Sequence, residues 1–165
     1  MAAATSSGTA TLTLPSDTQI LITREFNAPR QLVYRAWTEP ELVKRWWHAK
    51  RGTVSSAEMD VRPGGHWRWA MVATGGFEVA FHGDYREVVP AEKLVYTEAF
   101  EGIPDPDGNA SLVSITFTES GGRTTLTMLI EQGTQEGRDM IIQSGMEAGL
   151  QDALDLLEEI AVTLG

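Results

Sequence analysis

The sequence predicts an α+β fold: a curved antiparallel sheet of about seven strands wrapped around one long C-terminal helix, with two short helices after the first strand. Three observations carry this. From Thr134 to Leu164, the residues Met146, Leu150, Ala153, Leu154, Leu157, Ala161 and Leu164 recur at three- and four-residue spacing, the apolar stripe of a helix. From Thr53 to Glu131, runs of alternating apolar residues are broken by Gly, Pro and Asp, the pattern of a meander. Ahead of that, Pro29 and the segment Thr38-Glu39-Pro40-Glu41 open two helices in tandem.

Met1–Ser16 is rich in Ala, Thr and Ser and lacks the basic start and apolar block of a signal peptide. It is expected to be a disordered tail. Residues 17–165 then form one domain, long enough for a sizeable core. Thr18–Asn27 reads as a strand, with Ile20, Ile22 and Phe26 inward and Leu21, Thr23 and Glu25 on the other face. Leu32, Val33, Ala36 and Trp37 make the buried side of the first helix. Leu42, Val43, Trp46 and Trp47 do the same for the second, whose start reads as a capping box. Six strands are expected over Val54–Val61, His66–Ala73, Phe77–Val89, Lys93–Glu101, Ser111–Glu119 and Arg123–Glu131, with Gly102–Ala110 as a longer loop.

On the terminal helix Thr134 is the expected N-cap, with Glu136 and Asp139 near the positive end of the dipole. Glu147, Gln151, Asp155, Glu158 and Glu159 are expected to form its solvated face. Read as one element it runs about 45 Å, so only a wide, curled sheet can cover it. Gly145 and Gly149 fall inside it, each costing about 1 kcal/mol relative to alanine. Close packing against a sheet explains them, and so does room for a ligand.

The net charge of −10 argues against nucleic-acid partners and anionic membrane surfaces. The short run Lys44, Arg45, Lys50 and Arg51 reads as a solvated helix end. Cysteine is absent, which removes disulfides, thiol catalysis and thiolate metal sites and suits a cytoplasmic protein. No apolar run approaches the ~18 residues of a membrane span.

His48, His66 and His82 fit no metal-binding spacing. His66 and His82 are expected as cross-strand neighbours on the solvent face, with a metal or general-base role as the alternative. Glu78, His82 and Asp84 share one face of a strand, and Phe77, Val79 and Phe81 the other. An inward aromatic face leaves the polar set solvated, the preferred reading; the inverted register would make it a cavity wall capable of acid–base work. Glu87 and Glu98 read as structural partners of Arg86 or a neighbouring strand. Ser144 lacks a nucleophile elbow, and Gly64-Gly65, Gly75-Gly76 and Gly121-Gly122 read as hairpin turns instead of phosphate loops. No catalytic constellation, metal site or cofactor site is expected. The positive signal is aromatic. Trp47, Trp67, Trp69, Phe81, Tyr96 and Phe117, with Met128, Met140, Met146 and the small Gly145 and Gly149, are the candidate ligand-binding residues. A filled core is the competing reading.

Six motifs in order carry a family resemblance. They are Phe26-Asn27-Ala28-Pro29; Ala36-Trp37-Thr38-Glu39-Pro40 with Trp46-Trp47; Arg62-Pro63-Gly64-Gly65; Gly83 to Pro90; Leu94-Val95-Tyr96-Thr97-Glu98; and Ser144 to Gly149. Together they resemble the activator of heat shock protein 90 ATPase homologue family, within the START-like, polyketide cyclase-like superfamily. The resemblance implies the helix-grip fold and a hydrophobic cavity between sheet and last helix. It implies first a protein that binds a small apolar molecule, and second a cyclase- or hydrolase-like enzyme using polar groups of the same cavity such as His66, His82, Glu78 or Glu98. A co-chaperone-like interaction protein ranks third, because only single-domain homologues are matched. The chain is not expected to be an ATPase, and a homodimer stays open.

Overall fold

The structure, a computed structural model, describes residues 10–48 and 51–164. Alternation sets the strands: β1 (Thr11–Thr13), β2 (Gln19–Phe26), β3 (Gly52–Met59), β4 (His66–Ala73), β5 (Glu78–Val89), β6 (Lys93–Phe100), β7 (Ser111–Ser120) and β8 (Arg123–Glu131). They form one antiparallel sheet ordered β1-β2-β8-β7-β6-β5-β4-β3. The last six strands are therefore a meander, and β2 closes onto β8. Helices α1 (Arg30–Thr38) and α2 (Pro40–Trp46) lie between β2 and β3; α3 (Gln135–Gln143) and α4 (Met146–Leu164) end the chain.

The fold class is the expected one, with four differences of detail. The single long helix is two. Its apolar period continues through residue 145, but Gly145 sits at φ +84°, a left-handed conformation that ends α3. The Ser144 amide closes that turn on the Met140 carbonyl at 3.1 Å. Part of the stretch 1–16 expected as a disordered tail is a strand. Thr11–Thr13 pairs with β2, and Gln151 holds Ala10 through both backbone groups, at 3.0 and 2.8 Å. Residues 1–9 lie outside the described residues, as does Lys50 of the basic run. The capping box does not form, because Thr38 closes α1 by donating to the Tyr34 carbonyl at 2.8 Å. The Thr134 cap does form, accepting from the Gly137 amide at 3.0 Å.

The fourth difference concerns the acidic face of α4. Arg24 shares the inward face of β2 with Ile20, Ile22 and Phe26, and its side chain is fully buried. It reaches Asp155 at 2.7 Å and Glu158 at 3.2 Å. Those two carboxylates are thus not a solvated face but the clamp that holds α4 against the sheet. Around the clamp, Ile20, Ile22, Phe26, Ile115, Phe117, Leu126, Leu154 and Leu157 form a dry core, each at most 1 % exposed. This filled half fixes the C-terminal part of α4. The other half of the sheet curls away from its N-terminal part.

Candidate functional site

The space left by that curl is a cavity of about 870 Å³. Its size falls within the range of small-molecule sites. Period-two rows of β4, β5 and β6 face it: Trp67, Trp69 and Met71; Phe77, Val79, Phe81 and Tyr85; Leu94, Tyr96, Glu98 and Phe100. The aromatic face of β5 therefore points inward, and Glu78, His82 and Asp84 point outward, the preferred of the two sequence readings. Opposite lie Met140 and Ile141 of α3, Gly145 at the break, and Met146, Gly149, Leu150 and Ala153 of α4. Phe77, Met140 and Phe100 are 61 %, 57 % and 37 % exposed and mark the mouth.

The wall is held by edge-to-face aromatic contacts. Ring centroids lie 4.7 Å apart for Trp37–Trp46, 5.9 Å for Trp46–Trp69, 5.5 Å for Trp47–Trp69 and 5.6 Å for Trp67–Tyr96. Gly83 lets this wall close. A Cβ there would run into the Thr97 carbonyl, the same oxygen that accepts from the Trp67 indole at 3.1 Å.

Ten of the eleven candidate ligand-binding residues line the cavity: Trp47, Trp67, Trp69, Phe81, Tyr96, Met128, Met140, Gly145, Met146 and Gly149. Phe117 does not. It is buried on the far side, edge-on to Tyr34 at 5.6 Å. Neither glycine is pressed against the sheet. At Gly149 an added Cβ would meet only His48 and Arg51, both at the ordinary distance of 3.6 Å. Gly149→Ala is therefore expected to stabilise α4 by about 1 kcal/mol while narrowing the cavity; thermal denaturation checks it, and an unchanged midpoint would contradict it.

Glu98 is not the structural partner of the preferred sequence reading; it lies in the cavity, as the enzyme reading required. It contacts neither Arg86 nor another partner; among the described residues no hydrogen bond or ion pair reaches its carboxyl. It follows Leu94 and Tyr96 on the inward row of β6, and that spacing was the signal available. Burial in the apolar cavity pushes its pKa up to about 7. Burial also holds the Tyr96 phenol well above its ordinary value, helped by Glu98 and Tyr85. His48, at the α2 end of the cavity, is held below the usual histidine value by burial and by Arg51.

On the outer face the two histidines are neighbours, with ring centroids 6.1 Å apart. His66 meets Asp84 at 3.0 Å. His82 meets Asp107 at 2.6 Å and Glu101 at 2.8 Å, while Arg68 grips Glu101 through two bonds of 2.9 Å. An imidazole with carboxylates at both nitrogens satisfies both only as imidazolium. Asp107, and then Glu101, raise the His82 pKa, and Arg68 is the main cause of a Glu101 pKa of about 2. The cluster ties down the Gly102–Ala110 loop, whose Ile103 and Pro104 line the cavity. The His82 contribution to stability is full below pH 6.5 and is lost as pH rises through its raised folded value. The destabilisation caused by His82→Ala should therefore be larger at pH 6 than at pH 9 in thermal denaturation. Equal losses at both would contradict it.

Among the described residues no group of three His, Asp or Glu could hold a metal ion, and no helix is long and apolar enough to cross a membrane.

Comparison places the chain among known folds. Residues 27–161 match the family described as Activator of Hsp90 ATPase homolog 1-like protein. A Rhodobacter sphaeroides protein of solved structure superposes with a TM-score of 0.86 at 22% identity, covering 94% of this chain and 99% of that one. A Chromobacterium violaceum protein does so at 0.76 and 27% identity, covering 88% and 98%. DynU16, a protein from the dynemicin biosynthetic locus, superposes at 0.64 with 23% identity, covering 88% of this chain and 47% of its own. No curated protein matches. The architecture is the helix-grip, START-like fold.

Proposed function

This chain belongs to the Activator of Hsp90 ATPase homolog 1-like family, and on that premise we propose that it binds a small, largely apolar molecule between the curled sheet and helices α3 and α4. One observation carries the reading: a cavity of about 870 Å³ walled by tryptophan, tyrosine, phenylalanine and methionine. A domain that needed this half only as core would fill it, because voids forfeit contact energy. Flat rings and flexible thioethers suit an apolar guest of adaptable shape. The cysteine-free sequence suits a cytoplasmic setting, which we adopt. Native mass spectrometry of freshly purified protein tests the reading directly, with a co-purifying small molecule expected. No adduct, together with no thermal stabilisation by any compound of an apolar library, would refute it.

Glu98 supports a second reading, proton transfer to or from a bound substrate. A carboxyl that titrates near neutrality is matched to general acid–base work. Recovery of the co-purified molecule chemically unchanged after prolonged incubation would count against it.

A further inference from the structure

We propose that Glu98 reads the polar end of the ligand, and that the ligand is a lipophilic organic cation, an amine or quaternary ammonium carrying an apolar tail. The inference rests on the binding reading above and names the chemistry of that same site.

Three observations carry it. First, Glu98 is the only carboxylate among the described residues that line the cavity, and nothing there partners it. Glu98 is half-buried, and a carboxyl facing an apolar cavity without a protein partner is a cost that a folded chain ordinarily removes. A cationic occupant would supply that partner. Second, aromatic rings stand beside it on the wall, with Ser111 opposite it on β7. Tyr96 precedes it on the same row, and the Trp67 indole is bonded to the Thr97 carbonyl beside it. The Trp67 and Tyr96 rings stand edge-to-face at 5.6 Å, and Tyr85 lies 6.1 Å from Tyr96. Aromatic faces beside one carboxylate favour an organic cation over an anion. Third, the whole chain carries a net charge of −10, which draws cations toward it and repels acids.

The row itself orients the guest. Leu94 is buried at the closed end and Phe100 stands at the mouth, so Glu98 sits one inward position below the rim. The cationic head would rest there, with the tail running toward Leu94, Val113 and Met128. The other described lining groups that carry or can take charge are Tyr85, Tyr96, His48 and Arg51; α3 and the Gly102–Ala110 loop supply none. The two phenols stay neutral, His48 is held below its usual pKa, and Arg51 is paired with Asp152 at 3.2 Å. No lining group other than Glu98 is therefore a ready partner for a cationic head.

A matched trio of probes tests this: octyltrimethylammonium, octanol and octanoate, titrated calorimetrically into wild-type protein and Glu98→Gln between pH 5 and 8. The permanent cation should bind at least about tenfold more tightly than octanol, and octanoate most weakly. Because the cation needs Glu98 ionised, its affinity should fall by about tenfold per pH unit below 7, with one proton released to solvent per molecule bound. Glu98→Gln should abolish both the preference and the pH slope. Octanol binding as tightly as the cation, octanoate binding most tightly, or a Glu98→Gln protein that keeps the cation preference would overturn the inference and leave the apolar-cavity reading standing. Failure of all three probes at every pH would overturn both.

Discussion

Glu98→Gln is expected to stabilise the ligand-free protein by about 3 kcal/mol at pH 8, with most of that gain gone at pH 4.5. The carboxyl binds its proton more tightly folded than unfolded, since burial raises its pKa from the ordinary 4.5 to about 7. Its cost to the fold is therefore absent below 4.5, grows between 4.5 and 7, and stays constant above 7. Glutamine mimics the protonated form, so it removes the cost only where the wild-type side chain is charged. Urea denaturation of both proteins at pH 4.5 and 8 decides the matter. A stability difference independent of pH would locate the effect elsewhere. A stabilising substitution at a wall position marks a residue kept for what it does and not for the fold. A bound cation should shrink or reverse the gain, because the wild-type carboxylate then has its partner.

The largest loss is expected at Arg24. Arg24→Ala should destabilise the protein by about 3 kcal/mol, the lower end of the cost of breaking a buried ion pair. The lower end applies because the stranded partners differ in access to water: Asp155 is 41 % exposed and Glu158 18 %. Water can resolvate the first far better than the second. The guanidinium also lies 4.9 Å from the Phe26 ring, so its removal loses packing as well as charge. Asp155→Asn should cost much less, since Glu158 still holds the guanidinium. Urea denaturation measures both, and a loss below about 1 kcal/mol for Arg24→Ala would show that the clamp is not what seats α4.

Arg24 also shows what the sequence did and did not disclose. Alternation puts position 24 on the inward row with Ile20, Ile22 and Phe26, but only those three apolar residues signalled that face, and a charge there demands a buried partner. The acidic residues of α4 were in view, but helical periodicity alone assigns charges to solvent. Strand ends were legible where turn chemistry is strong: Arg123–Glu131 follows Gly121-Gly122, and His66–Ala73 lies between Gly65 and Gly75. The break at Gly145 was not, because the apolar period runs unbroken across it and only the backbone angle differs. The strand Thr11–Thr13 was hidden because its Thr-rich composition resembles a flexible tail; what orders it is pairing with Leu21–Thr23 of β2 and the grip of Gln151 on Ala10 beside it. Most of the cavity wall was readable from its aromatic rows. Phe117 was misplaced because strand alternation says which face a residue takes, not which end of a curled sheet it occupies.

All five tryptophans of the chain, Trp37, Trp46, Trp47, Trp67 and Trp69, line the cavity. The intrinsic indole emission of this protein therefore originates at one wall, with rings close enough to exchange excitation before emitting. An occupant changes the polarity around every emitter at once, and a cationic one sets a charge beside Trp67. The protein is in that sense its own optical probe: filling, emptying and protonation of the cavity can all be followed without a label, and an occupant carried through purification should be evident in the spectrum before any ligand is named.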